Sequence, residues 1–251
     1  MMIFALAIVF IAITYLFGIL YAAVSRANKQ AMIIAYGWTG FCILGCVGVP
    51  FHELSHLVTA LLFNHDVTEF ALFRPIKGRE DGQLGYVHHR YNRNSLYQTT
   101  GNFFIGAAPM ILGAGLLTLL YRCAVPETQT VTFAFSYQFL CDVFTSSAKG
   151  FISSLCSGNI FAILSIIAAF LICPHIGMSG ADFKNTIAGT LFLLSASIVV
   201  PYVINVNTGI SYTAMYSALF SVMVAYVYAL IVGFVLSLVL WALIKITDIF
   251  V

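Results

Sequence analysis

Charge is what this sequence has least of. Asp, Glu, Lys and Arg together make up 8% of its 251 residues, while hydrophobic residues make up 61%. A soluble domain carries about 25% charged residues. So few charges cannot cover a water-facing surface, and lipid is the solvent that fits. No stripe of basic residues interleaved with aromatics occurs and the net charge is only +2, which excludes a nucleic-acid footprint. The six cysteines follow neither a CxxC nor a zinc-finger spacing. Cys42 and Cys46 lie one helical turn apart in an apolar run and read as small packing residues. Cys123 and Cys141 flank one loop and pair only if that loop is extracytoplasmic. Internal repeats and low-complexity tracts are lacking as well. So is a basic region ahead of the first apolar run. Arg26 and Lys29 follow that run instead, the reverse of a cleaved signal peptide, so a retained transmembrane helix is expected.

What the sequence has is long apolar runs. A helix needs about 20 apolar residues to cross the hydrocarbon core. Residues 3–24, 31–63, 102–122, 151–173, 185–204 and 212–244 meet or approach that length. The expected fold is an all-α polytopic membrane protein of about six transmembrane helices. The second and sixth runs exceed a simple span and must tilt, bend or project; Gly45, Gly48 and Pro50 offer the second a place to bend. The longest polar stretch, residues 64–101, holds Asp81-Gly82, a turn signal. Residues 69–73 and 84–91 on either side are strand formers, which predicts a small β-hairpin between the second and third spans. Residues 125–150 suggest an interfacial helix or a partly immersed loop.

Alternating spans from a cytoplasmic N-terminus put Arg74, Lys77, Arg79, Arg90, Arg93, Lys184 and Lys245 inside, and Arg26, Lys29, Arg122 and Lys149 outside. This bias favours a multi-pass cell-membrane protein with both termini cytoplasmic, although Arg26 and Lys29 run against it.

The chemistry concentrates in His52-Glu53-Leu54-Ser55-His56, inside the second apolar run. Positions i and i+4 share one helix face, so both imidazoles can hold one zinc ion. Glu53 then stands beside the first ligand as a general base, the arrangement of the zincin motif. Ionisable side chains within a membrane helix are costly and usually functional. A divalent cation compensates three of them on adjacent turns; a hydrogen-bonded cluster without metal is the plainer alternative.

A catalytic zinc takes three protein ligands and keeps an open position. Asp182 and His175 are the candidates for the third. Both lie where the fourth run meets the fifth, on the membrane side to which alternating spans bring the histidines. Asp182, or Ser179 before it, also suits a helix cap. Asp142 falls on the opposite face, Asp248 lies in the tail, and Asp66 and Glu69 lie in the polar loop. For the oxyanion of a hydrolytic step the candidates are Asn102, His88 and His89. Asn102 equally suits a helix cap, and the adjacent histidines a loop surface.

A His-Glu-x-x-His in a membrane helix, then a polar hairpin segment, then the span Gly101-Asn102-Phe103-Phe104-Ile105-Gly106-Ala107-Ala108-Pro109, resembles the site-2 protease family of intramembrane zinc metalloproteases. The likeness covers residues 31–204 of a single membrane domain, with 64–100 as the hairpin region and 1–30 and 205–251 as additional spans. The family's second motif, Asn-x-x-Pro-x-x-x-Leu-Asp-Gly, is absent; Met178-Ser179-Gly180-Ala181-Asp182 stands in its place. No PDZ-like insertion fits the short loops. The resemblance implies a zinc endopeptidase with one catalytic Zn2+, acting on membrane-protein substrates within the lipid bilayer. It also implies that residues 84–91 pair with the unwound substrate. Rival expectations are a membrane zinc hydrolase of lipids or small amides, a metal transporter, and a non-catalytic zinc-binding membrane protein. Clustering of the ligands at one depth disfavours transport.

Overall fold

The computed structural model describes residues 1–125 and 137–248. In chain order its elements are α1 (Met2–Leu62), β1 (Asp66–Ala71), α2 (Gly78–Asp81), β2 (Tyr86–Arg90), α3 (Leu96–Ala124), α4 (Tyr137–Cys156), α5 (Ile160–Ile172), a 3-10 turn (Cys173–His175), α6 (Gly180–Thr208) and α7 (Tyr212–Asp248). Helices α1, α3, α6 and α7 are long and apolar enough to cross a membrane, and a fifth span arises if the bent pair of α4 and α5 counts as one. A helical membrane architecture with one small antiparallel sheet is therefore present, but with four or five such spans rather than six.

The first two apolar runs share α1, which is broken at Gly37 (φ 67°, ψ −169°), a conformation open to glycine. Residues 18 and 52 of a straight helix would lie about 51 Å apart. Here Gly18 faces Met178, and His52 reaches the carbonyl of His175 only three residues earlier. Lys29 lies over the Phe41 ring at 5.2 Å. The helix is thus folded back on itself, and its two halves clasp the 3-10 turn and the residues after it.

The fourth run is interrupted too. Gly158 (φ 73°) ends α4, and Asn159 caps α5 by accepting from Phe161 N. The helical segments on either side meet at 119°. The α5 segment then follows α3 backwards: Asn159 donates to Ala124 O, Ser165 to Leu120 O, and Ile176 packs at Gly113. Helix α6 continues the same descent, with Thr186 at Gly106 and Gly189 at Phe103. A Cβ at Gly106 would collide with Thr186 Oγ1 and Asp182 O, so the small residue lets the two backbones approach. Together α5, the 3-10 turn and α6 form one descending partner for α3, broken at the point where the two halves of α1 converge.

Polar bridges from every seventh residue of the first half of α1 join it to α7. Thr14 meets Tyr226 at 3.2 Å, Tyr21 donates to Leu230 O and Asn28 to Ser237 O. Each such bond inside a membrane contributes about 0.6 kcal/mol, so packing of the large cluster around Tyr21, Met110, Ile176 and Leu230 carries more of the stability. The rising numbers on both partners show that the two helices run parallel. Met1 lies by Tyr212, so Met1 and the last turns of α7 sit at opposite ends of the helical layer.

Strands β1 and β2 pair from Asp66↔Arg90 to Ala71↔Tyr86, with a bulge between Val67 and Glu69. The hairpin lies along the second half of α1. At its tip Trp38 Nε1 donates to Pro75 O and Lys29 Nζ to Gly82 O, both at 2.7 Å. Leu84 packs on Phe41 and Val49. At its base Tyr97 donates to Leu62 O and Gln98 to Asn64 O. The Cys141 side chain lies outside the described residues, and the Cys123–Cys141 pairing with it, as does the Asp142 side chain.

Candidate metal centre

The break in the α5–α6 descent delivers Asp182 to the two histidines of α1. His56 Nε2 lies 3.0 Å from His52 Nε2 and 3.3 Å from Asp182 Oδ1, and His52 Nε2 lies 3.7 Å from Asp182 Oδ2. The ligand atoms of the three residues all fall within 4.8 Å of one another, a group able to hold a metal ion. No fourth His, Cys, Asp or Glu joins it among the described residues.

Each ring is held by its other nitrogen. His52 Nδ1 bonds His175 O at 2.6 Å and His56 Nδ1 bonds Ile105 O at 2.8 Å. A carbonyl only accepts, so both Nδ1 atoms carry the proton and both Nε2 atoms present lone pairs to each other and to the carboxylate. Three electron-rich groups this close, in a buried site, suit either a metal ion between them or one further proton on His56 Nε2. Backbone carbonyls holding ligand imidazoles are the usual outer support of a metal site.

Asp182 is buried, at 7% exposure. Its carboxylate also accepts from Ser179 N at 2.6 Å, while Ser179 Oγ accepts from Asp182 N, a complete capping box at the start of α6. Capping and facing the histidines are therefore compatible in one side chain: the cap fixes the carboxylate that meets the rings. His175 plays a different part from the rival ligand. Its carbonyl orients His52, while its ring packs against Gly48 and its buried Nε2 has no partner among the described residues.

Glu53 lines the same cavity of about 470 Å3, together with His52, His56 and Asp182. Across it runs the chain from Gln83 to His89, which leads into and along β2. A Cβ at Gly85 would come 2.6 Å from Glu53 Cγ, so glycine there lets the strand approach the carboxylate. Strand β2 pairs with β1 and with no second strand among the described residues.

Of the other candidates, Asn102 is not a cap, because Ser95 caps α3. It is 1% exposed, both of its amide atoms lack a partner, and it is not among the residues lining the cavity. His88, exposed on the hairpin beside Glu69, and His89 both line the cavity. Sequence reasoning missed the carbonyls of Ile105 and His175, which no side-chain pattern announces. It also missed His65, buried at the hairpin base with Nδ1 3.0 Å from His89 Nδ1.

Compared with known proteins, the chain matches no family model, no curated sequence and no solved structure.

Proposed function

We propose that this chain is an intramembrane zinc metalloprotease that hydrolyses peptide bonds of transmembrane or membrane-associated substrates in the cell membrane. One observation carries the reading. Two imidazoles with both Nδ1 atoms tied to carbonyls turn their Nε2 atoms onto one carboxylate, at a helix break open to a cavity that also holds Glu53. Zinc suits the spacing. Bonds of roughly 2.0–2.2 Å in a tetrahedral site separate ligand atoms by about 3.3 Å, beside the 3.0, 3.3 and 3.7 Å found here. Three protein ligands leave one position open, as catalytic rather than structural zinc requires.

A zinc ion held by His52, His56 and Asp182 would acidify a water molecule and polarise the scissile carbonyl. Glu53 accepts the proton of the attacking water and returns it to the leaving amine. His175 O and Ile105 O keep the rings in the tautomer that binds metal. The free edge of β2 along the cavity suits an unwound peptide added as a strand through main-chain hydrogen bonds. That edge favours a peptide over a lipid or small amide as substrate.

The test uses the full-length protein in lipid vesicles, with a labelled transmembrane peptide and a labelled lipid amide. The wild type cleaves the peptide and leaves the lipid amide intact. Glu53→Gln keeps its zinc and loses about 10²–10⁴-fold in kcat, the range for a general base. Undiminished cleavage by Glu53→Gln removes Glu53 from that role, and turnover of the lipid amide alone transfers the activity to the rival class.

A further inference from the structure

A second imidazole pair stands at the base of the hairpin, outside the metal group. His65, 4% exposed, follows the end of α1, and His89 lies on β2. His65 Nε2 is 2.8 Å from Gln98 O. That carbonyl accepts only, so Nε2 carries the His65 proton and Nδ1 keeps a lone pair. His89 Nδ1, 3.0 Å away, must therefore donate to it. A neutral imidazole carries one proton, and the Nε2 of His89 is left as an acceptor on the ring edge turned away from His65. The Tyr91 ring, stacked on His65 at 5.3 Å, holds the pair in place. Burial and the neighbouring His65 push His89 down to about 4, so both rings are neutral at neutral pH.

His89 also lines the cavity that contains Glu53, His52, His56 and Asp182. A bare Nε2 cannot donate to an oxyanion, the part that sequence alone offers His89. It can hold a water by one hydrogen, with the oxygen turned outward. Hydrolysis inside an apolar bundle consumes a water that must enter through such a cavity.

We propose that His65 locks His89 as a hydrogen-bond acceptor facing the cavity and that His89 positions the water on its way to the site beside Glu53. The water role rests on the hydrolytic function proposed above; the locked tautomer rests on the hydrogen bonds alone. His89 is then a positioning residue that acts through water.

The experiment is nitrogen NMR of the zinc-loaded, full-length protein with 15N-labelled histidine, combined with zinc analysis and peptide-cleavage kinetics. Expected at neutral pH is a His89 ring protonated at Nδ1 and bare at Nε2, with one zinc per chain. His89→Ala and His65→Leu then lower kcat about tenfold, a modest case of misplacement near a reacting centre, with KM and zinc content unchanged. His89→Gln, whose carbonyl oxygen restores an acceptor, recovers most of the loss. A proton on His89 Nε2, or a second zinc held by the pair, overturns the locked tautomer. Equal kcat in wild type and His89→Ala overturns the water role. A wild-type protein that hydrolyses nothing removes the water role along with the hydrolytic function, while the ring spectrum still decides the tautomer.

Discussion

Two pairs of histidines in this molecule place ring nitrogens 3.0 Å apart, and they differ in where their other nitrogens go. In the pair on α1, both second nitrogens give their protons to backbone carbonyls, so two lone pairs and a carboxylate confront one another. In the pair at the hairpin base, only one second nitrogen does so, and the protons run in one direction from His89 to His65 to Gln98. The first pair lacks one positive partner, a metal ion or a further proton, and can hold a metal; the second is complete with the protons it has. Distance between imidazoles is thus a poor sign of a metal site by itself. The carbonyls behind the rings decide.

The sharpest way to break this contrast is to remove one ring from each pair and count metal. His56→Ala leaves His52 and Asp182 without their common partner, and zinc affinity falls by more than the roughly 100-fold that losing an outer support alone can cost. Zinc per chain drops from one to near zero. His65→Leu leaves the zinc content at one. Equal loss from the two variants would erase the distinction between the pairs.

A smaller effect separates the two duties of Asp182. Ser179→Ala removes the side chain that caps α6 but keeps the carboxylate, and it costs about 1 kcal/mol of stability with zinc retained. Asp182→Ala keeps the Ser179 cap, because the donor is the backbone N–H of residue 182, but it removes the carboxylate that accepts from Ser179 N and faces the rings, so the metal is lost. The melting temperature read beside zinc content shows the split. If Ser179→Ala also strips the zinc, the cap is needed to hold the carboxylate at the rings.

Which of these features could be read from the sequence follows from the range of the forces involved. The spacing of His52, Glu53 and His56 is helix geometry, a local property, and their apolar surroundings marked them as costly. Asp182 stood out because acids are so scarce. The hairpin was legible from Asp81-Gly82 and its flanking strand formers, though its strands begin and end a few residues from the expected bounds. The count of spans was not legible. The first two apolar runs form two helical halves that fold back on each other at Gly37, and the α5–α6 descent breaks where it packs between the halves of α1. Both depend on contacts between residues far apart in the chain. The carbonyls of His175 and Ile105 were invisible for the same reason, since every residue has one and only the fold selects two.

The gentlest perturbation is acid, and it acts on the hairpin pair. Burial holds His65 below its ordinary value against the pull of the Gln98 carbonyl, and burial with His65 beside it holds His89 at about 4. Both rings bind protons less readily folded than unfolded. Their contribution to stability is therefore whole above the ordinary histidine value of about 6.5, and it is lost as the pH falls from there through about 4. Two imidazolium ions would then face each other where one hydrogen bond stood. Asp81 at the hairpin tip titrates lower, because Gln83 N and the Arg74 guanidinium hold its carboxyl below the usual carboxylate range. Its loss begins only below about 4, which keeps the two events apart. Hydrogen exchange across β1 and β2, corrected for intrinsic rates, should show protection declining over the upper window. His89→Gln, which has no ring to charge, should flatten that decline and leave the Asp81 step. Protection that stays level from neutral pH to about 4 in the wild type would mean that the pair accepts a second proton without cost, and the one-way chain from His89 to Gln98 would not describe it.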